Sequence, residues 1–399
     1  MTETSELSLV AIVAAGVFAP FLGDRLNRWI RIPGAVLEIL LGILIGPVVL
    51  GWAQNTEVVD GISQFGLALL MFLAGYELEF DRIRGGPLRL AVGGWLCSVL
   101  LGLLCGFLLR GQTEAALMLG LALTTTALGT ILPMMQDAGV LPTPFGAKMM
   151  AIGAVGEFGP IVLIALLLTS DDPARTGLLL VVFVVIVVVT AIVASRRRAS
   201  PRISRLLSAT LGTSAQLPIR LAMFAVVFLL WVSHSFGLDV LLGAFAAGII
   251  ERIAVNAGEP REEKVIKSKL EAIGFGVFIP FFFVVSGLSM DLDSLAENPV
   301  SLLLLPLFLV LFLLVRGVPT YVLARSDPDR RRLALLSSAA LPLLVAITSI
   351  GTDEGVLRTD TAAALVLAGM LSVLIFPLVA LRGIQSQTTP LAGTTPSSR

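Results

Sequence analysis

Thirteen apolar stretches, each bounded by charged or turn-forming residues, organise this chain, at roughly 8–23, 33–52, 59–77, 87–109, 114–136, 149–170, 176–195, 217–236, 238–251, 269–289, 300–324, 333–350 and 360–381. A helix needs about 20 apolar residues to cross a hydrocarbon core ~30 Å thick. In lipid every backbone N–H and C=O must find an internal partner, so each run reads as a helix. The pattern predicts an all-α polytopic membrane protein with about 13 transmembrane helices. The shortest runs, 238–251 and 333–350, read as tilted or interrupted spans.

Two charges lie deep inside a run, far from its ends. In Met149 to Ser170 the only charge is Glu157, in the string Ile152-Gly-Ala-Val-Gly-Glu157-Phe-Gly-Pro160. In Val300 to Ala324 the only charge is Arg316. Glu157 lies nine residues after Lys148 and Arg316 nine before Arg325, so at 1.5 Å per residue both sit ~14 Å from the same membrane face. Intramembrane acids mark ion or proton pathways more often than packing. Arg316 does not deprotonate at biological pH, and is expected to act as a fixed counter-charge beside Glu157. Gly153, Gly156 and Gly159 recur every three residues and are expected to let a neighbouring helix pass close to Glu157.

The distribution of basic residues sets the orientation. Of the 28 lysines and arginines, 24 fall in alternate loops and the tail, among them Arg25, Arg84, Lys148, Arg196, Arg252, Arg325 and Arg382. By the positive-inside rule the N-terminus is outside and the C-terminus cytoplasmic. The acidic start, with Glu3 and Glu6, has no basic region of the kind that opens a signal peptide.

An internal repeat crosses the chain at an offset of 212. Phe72-Leu-Ala-Gly75-Tyr-Glu-Leu-Glu79-Phe-Asp81 through Pro87 parallels Val284-Val-Ser-Gly287-Leu-Ser-Met-Asp291-Leu-Asp293 through Pro299. Thr125-Thr126 pairs with Ser337-Ser338, and a weaker match sets Glu38 to Gly42 beside Asp239 to Gly243. Seven spans separate the copies, so the second is inverted, an arrangement typical of transporters whose sites lie at the repeat interface. Within matched spans 5 and 12, hydroxyls accompany Gly129, Pro133 and Pro342, which predicts helix breaks there. Freed backbone at that depth is tolerated only against protein or a wet cavity. Glu38 and Asp239 are either interfacial caps or vestibule acids. Residues 260–273, with Ile266, Leu270 and Ile273 on one face, predict an interfacial helix.

Composition narrows the classes. The chain is 56% hydrophobic and 14% charged, well below the roughly 25% charged residues of soluble domains. Net charge is zero, and nothing suggests nucleic-acid binding. Cys97 and Cys105, eight apart in an apolar run, match neither a redox pair nor a zinc spacing and read as packing residues. His234, the lone histidine, reads as a cap near the outer end of its span. No HExxH and no intramembrane aspartate pair is present, so an intramembrane hydrolase is not expected. The last 17 residues, 383–399, are rich in Ser, Thr, Pro and Gln and read as a disordered tail.

The string Phe281-Phe-Phe-Val-Val-Ser-Gly-Leu-Ser-Met290, Leu242-Gly-Ala-Phe-Ala-Ala-Gly248, the hydroxyl-rich fifth span and the acid in the middle of the sixth resemble the monovalent cation:proton antiporter superfamily. The likeness is to its thirteen-helix bacterial branch of sodium/proton and Kef-type potassium/proton exchangers. It covers nearly all of residues 8–382. It implies two inverted repeats with crossed, unwound helices 5 and 12. It also implies a single membrane transport domain over 1–382, with core helices about 87–170 and 299–382 and dimerisation and gate helices about 8–77 and 176–289. The family usually has Asp-Asp, Asn-Asp or Gln-Asp where this chain has Gly156-Glu157, and Kef-type members often add a nucleotide-binding domain that is not expected here.

Residues and resemblance together lead to one expectation. A monovalent cation, sodium ahead of potassium and with lithium a candidate, exchanges for protons by alternating access, both ions competing for Glu157. Thr125, Thr126 and Ser338 are expected to supply further oxygen ligands. With Gly156 lacking a side chain and Arg316 fixed in charge, only Glu157 changes state, so exchange is expected to be electroneutral. The protein is expected to be a homodimer in the cell membrane, with no cofactor and no metal beyond the transported alkali ion. A sodium-coupled organic-anion symporter of the same architecture and a potassium efflux system remain alternatives.

Overall fold

A computed structural model describes residues 3–26, 32–78, 83–110, 113–167, 173–198, 201–236, 240–256, 260–290 and 299–382. Asp239, the repeat acids Glu79, Asp81, Asp291 and Asp293, and the tail 383–399 lie outside the described residues.

Among the described residues each apolar run contains helix. The elements are α1 (Glu3–Leu26), α2 (Gly34–Ile45), α3 (Glu57–Tyr76), α4 (Gly86–Arg110), α5 (Thr113–Leu123), α6 (Leu128–Asp137), α7 (Pro144–Leu167), α8 (Pro173–Arg198), α9 (Pro201–Leu211), α10 (Leu217–Ser235) and α11 (Val240–Asn256). They continue as α12 (Pro260–Ile273), a π-helical turn at Gly274–Phe278, α13 (Ile279–Leu288), α14 (Pro299–Phe312), a second π turn at Leu313–Gly317, α15 (Val318–Leu323), α16 (Arg330–Ser337), α17 (Pro342–Asp353) and α18 (Thr359–Ala380). Among the described residues ten helical stretches are long and apolar enough to cross a membrane, with shorter apolar helices at Gly34–Ile45 and Val181–Val193. Thirteen crossings therefore remain an expectation. The outer surface suits lipid: on α4, Leu96, Leu100, Leu104 and Leu108, spaced by four, all face outward and exposed.

Two differences from the sequence reading have clear causes. Residues 260–273 do not form a separate interfacial helix, because α12 runs through the π turn into α13 and its apolar residues Ile266 and Leu270 are buried in protein. Pro133 lies inside α6, so the break of span 5 falls upstream of it, at 124–127.

Packing divides the helices into two groups. One contains α4 to α7 and α14 to α18; the other contains α1 to α3, α8 and α10 to α13. In the second group, backbones meet at glycines. A methyl on Gly42 would lie 2.0 Å from the Val284 carbonyl oxygen, and one on Gly287 would lie 2.1 Å from that of Ile39. The same arrangement recurs between Gly75 and Phe245 (2.2 Å) and between Gly248 and Phe72 (2.0 Å). Small residues permit this approach in membranes.

These contacts fix the repeat register. Gly287 and Gly75 are equivalent, as are Val284 and Phe72; their neighbours Ile39, Gly42 and Ile43 then match Phe245, Gly248 and Ile249 at an offset of 206. The weaker sequence match, Gly42 with Gly243, is displaced by five residues. In the packing register the counterpart of Glu38 is Ala244, which is buried, and not Asp239.

Candidate functional site

The first group of helices is interrupted twice, at 124–127 between α5 and α6 and at 338–341 between α16 and α17. The two extended stretches meet. The Ala127 amide donates to the Ala339 carbonyl at 2.7 Å, and the Thr126 hydroxyl donates to the Ser337 carbonyl at 2.8 Å. The Ala340 amide, which would otherwise be orphaned, donates to Ser372 Oγ at 3.0 Å. Pro342 opens α17, where its missing N–H costs nothing because the first-turn amides have no intrahelical partner. Gly129 is the second residue of α6.

Glu157 on α7 is 2% exposed. Its carboxylate faces the backbone amides of Leu128 and Gly129, in the first turn of α6. A helix N-terminus carries partial positive charge and unpaired N–H donors, so it is a natural seat for an anion. Glu77, capping the end of α3, is close enough to act on Glu157 electrostatically.

Arg316, 1% exposed, sits in the second π turn. Its Nε and Nη2 donate to Thr126 Oγ1 at 2.9 and 2.6 Å, and Nη2 donates to the Ile152 carbonyl at 3.1 Å. No hydrogen bond or ion pair joins it to Glu157 among the described residues. Helical rotation explains the separation. Ile152 and Gly156 share the face of α7 that meets Arg316, whereas Glu157 is turned ~100° onward, onto the face it shares with Gly153. A methyl on Gly153 would strike Leu128 at 2.6 Å, one on Gly156 would strike Arg316 Nη2 at 2.5 Å, and one on Gly159 would strike the Trp95 ring at 2.4 Å. The three glycines therefore serve three different side chains and do not form one groove for a passing helix.

The remaining site residues lie at the crossing. Thr126 Oγ1 already receives two Arg316 donors and gives its own proton, so both of its lone-pair directions are in use. Thr125 donates to the Ala122 carbonyl and Ser338 to the Ala334 carbonyl, each at 2.8 Å, which leaves their oxygens able to accept. Sequence reasoning missed Ser372, Glu77 and the Leu128 and Gly129 amides. The signal for Glu77 was its place in the repeat string; backbone donors carry no sequence signal.

Two cavities enter the seam between the helix groups from opposite ends. One, about 750 Å³, is lined by Glu38, Leu70, Gly129, Thr130, Phe283 and Pro342, with Arg382 also on its wall. The other, about 530 Å³, is lined by Asp60, Leu67, Phe282, Val345, Thr348 and Asp353 among others. Leu67 and Leu70 face different cavities although only three residues apart, as do Val345 and Pro342. The partition between the cavities is thus about one helical turn, ~5 Å, thick.

Residues 11–381 match the family profile described as sodium/hydrogen exchanger, transmembrane. The Na(+)/H(+) antiporter of Enterococcus hirae is 25% identical over 383 residues, covering 94% of this chain and 97% of that one. The Na(+)/H(+)-K(+) antiporter GerN of Bacillus cereus is 26% identical over 358 residues, with 86% and 88% covered. YjbQ of Bacillus subtilis, named for sodium/proton antiport, is 26% identical over 401 residues, and the match spans 95% of this chain but 63% of that protein. The sodium proton antiporter MjNhaP1 of Methanocaldococcus jannaschii shares the fold, with a TM-score of 0.66 at 15% identity over 94% of this chain and 95% of that one. A profile match over nearly the whole length, together with this shared architecture, places the chain in the sodium/hydrogen exchanger family.

Proposed function

We propose that the protein exchanges a monovalent cation for protons by alternating access, with Glu157 as the carboxylate that both ions share. The observation that carries this reading is the seat of Glu157. Its carboxylate is buried in the middle of a span, faces the amide end of an interrupted helix, and adjoins Gly129, which lines one of two opposed cavities. A carboxylate in that position binds a proton or an alkali ion but not both, because each neutralises the same charge. The thin partition supports movement of one helix group against the other, which would carry the loaded site from one cavity to the other.

Sodium is the favoured cation, since the Enterococcus hirae and Bacillus cereus relatives are both named for sodium. Potassium is the second candidate, because GerN is named for it as well and KefC of Escherichia fergusonii is named as a potassium-efflux protein. Thr125 and Ser338, with carbonyls freed at the breaks, are the oxygens available to complete an alkali-ion shell. In this reading the N-terminus is outside, the basic loops and the larger cavity are cytoplasmic, and the protein works as a homodimer.

The test is cation-driven proton flux in proteoliposomes, with sodium, lithium and potassium supplied separately. Wild type is expected to dequench a trapped pH dye on sodium addition. Glu157→Gln, which can neither gain nor lose the proton, is expected to show no flux while remaining monodisperse. Wild-type dequenching by that variant would sink the assignment.

A further inference from the structure

Glu38 is 8% exposed and lines the larger cavity, together with Gly129 and Thr130 of the interrupted span. Among the described residues it has no hydrogen-bond or ion-pair partner. It does not cap its helix: the amides of Val36 and Leu37 are already taken by the Pro33 carbonyl. Nor is it a relic of the repeat, since its counterpart in the packing register is the buried Ala244. The other walls of the cavity are almost wholly apolar, including Phe275, Ile279 and Phe283. The other charge on its wall is Arg382, just beyond α18 and exposed.

From this placement we infer that Glu38 is a cation-gathering site in the vestibule. It is a second carboxylate, set in the wall of the access cavity, that concentrates monovalent cations and protons on their way to the buried carboxylate. A single charge in a cleft with low-dielectric walls focuses its field along the cleft and raises the local concentration of counter-ions. Because the attraction depends on charge alone, it acts equally on sodium and on protons, and so changes the approach to Glu157 without changing which ion wins there. The inference rests on the exchange reading for its consequences, but the charge itself is testable without transport.

Two arms separate these. In the first, Thr130→Cys is introduced with Cys97 and Cys105 replaced, and its reaction rates with a cationic and an anionic thiosulfonate are compared. Adding Glu38→Gln is expected to lower the cationic-to-anionic ratio about tenfold at ~10 mM ionic strength, where the Debye length is ~30 Å, and to have little effect near 1 M, where it is ~3 Å. An unchanged ratio at low ionic strength overturns the proposal. In the second arm, Glu38→Gln in oriented proteoliposomes is expected to raise the half-maximal sodium concentration at the cavity face by about tenfold at low ionic strength. The apparent proton affinity at that face should fall by the same factor, with maximal rate and reversal point kept and Glu38→Asp restoring most of the shift. A salt-independent shift, or loss of all turnover by a well-folded variant, overturns a gathering role. If wild type carries no cation while the thiosulfonate ratio falls as expected, the exchange reading fails and the charged vestibule stands.

Discussion

Around Gly156 the volume of one methyl group decides where Arg316 can sit. The guanidinium occupies the space a side chain would need, within 2.5 Å of where a Cβ would stand, and Thr126 Oγ1 closes the same space at 2.6 Å. This gives a physical reason for glycine at this position: the neighbouring volume belongs to a cation held by a hydroxyl and a carbonyl. Gly156→Ala is expected to displace Arg316 or Thr126 and to destabilise the protein by about 1–3 kcal/mol, as overpacking does. A lower melting temperature in detergent checks this, and adding Arg316→Lys, whose ammonium is not a rigid fork, should recover part of the loss. An unaltered melting temperature for Gly156→Ala would show that the cradle gives way freely.

At the scale of elements, the site is made by helix ends more than by side chains. The first turn of α6 presents amides to Glu157, while carbonyls of α7 and of the end of α16 are met by Arg316 and Thr126. The frame holding these ends is tied at the basic face, where Lys148 near the start of α7 hydrogen-bonds and ion-pairs with Asp327 in the link between α15 and α16. Burial opposes the charged form of Asp327, but the Lys148 hydrogen bond and charge and the Asp329 amide outweigh it and hold its carboxyl below its ordinary value. A depressed carboxyl pKa stabilises the folded state above the unfolded value, ~3.9, and that contribution disappears as pH falls through the folded value. Lys148→Met is therefore expected to lower stability by about 0.2–1 kcal/mol at pH 6–8, since one partner is half-exposed. The gap from wild type should close as pH falls through the depressed value of the folded Asp327 carboxyl. A gap that persists in acid would show that Lys148 acts through packing.

For the whole molecule, the balance of charge across one cycle follows from which buried groups can titrate. Arg316 keeps its charge at biological pH, and Gly156 offers no second carboxylate. If Glu157 alone changes state, proton-loaded and cation-loaded forms carry equal charge, and exchange is one for one. A potential of 100 mV would bias the cycle by ~2.3 kcal/mol for each net charge moved, so here the reversal point should depend on the ion gradients alone. Clamping an inside-negative potential with an ion the protein does not carry, then measuring the reversal of sodium-driven flux, tests this. A shifted reversal point would mean that a second group, with Glu77 beside Glu157 the first candidate, also moves a proton.

The sequence by itself determined what depends on distance along a single helix. Run lengths set the helical, membrane-spanning class, rise per residue put Glu157 and Arg316 at one depth, and hydroxyls beside Gly129 and Pro342 located the two breaks to within a few residues. Rotation and neighbours belonged to the tertiary structure. One residue on α7 carries Glu157 to a different face from Gly156, so two charges of equal depth found separate partners: backbone amides in one case, Thr126 and the Ile152 carbonyl in the other. The register of Gly42 against Gly248 could be read only where backbones touch, because the repeated glycines are spaced by four in one copy and five in the other. Glu38 gained its setting in the same way. A carboxylate near a helix start is compatible with a cap or a vestibule, and only the cavity formed by helices distant in sequence sets it in one wall with Gly129 and Thr130.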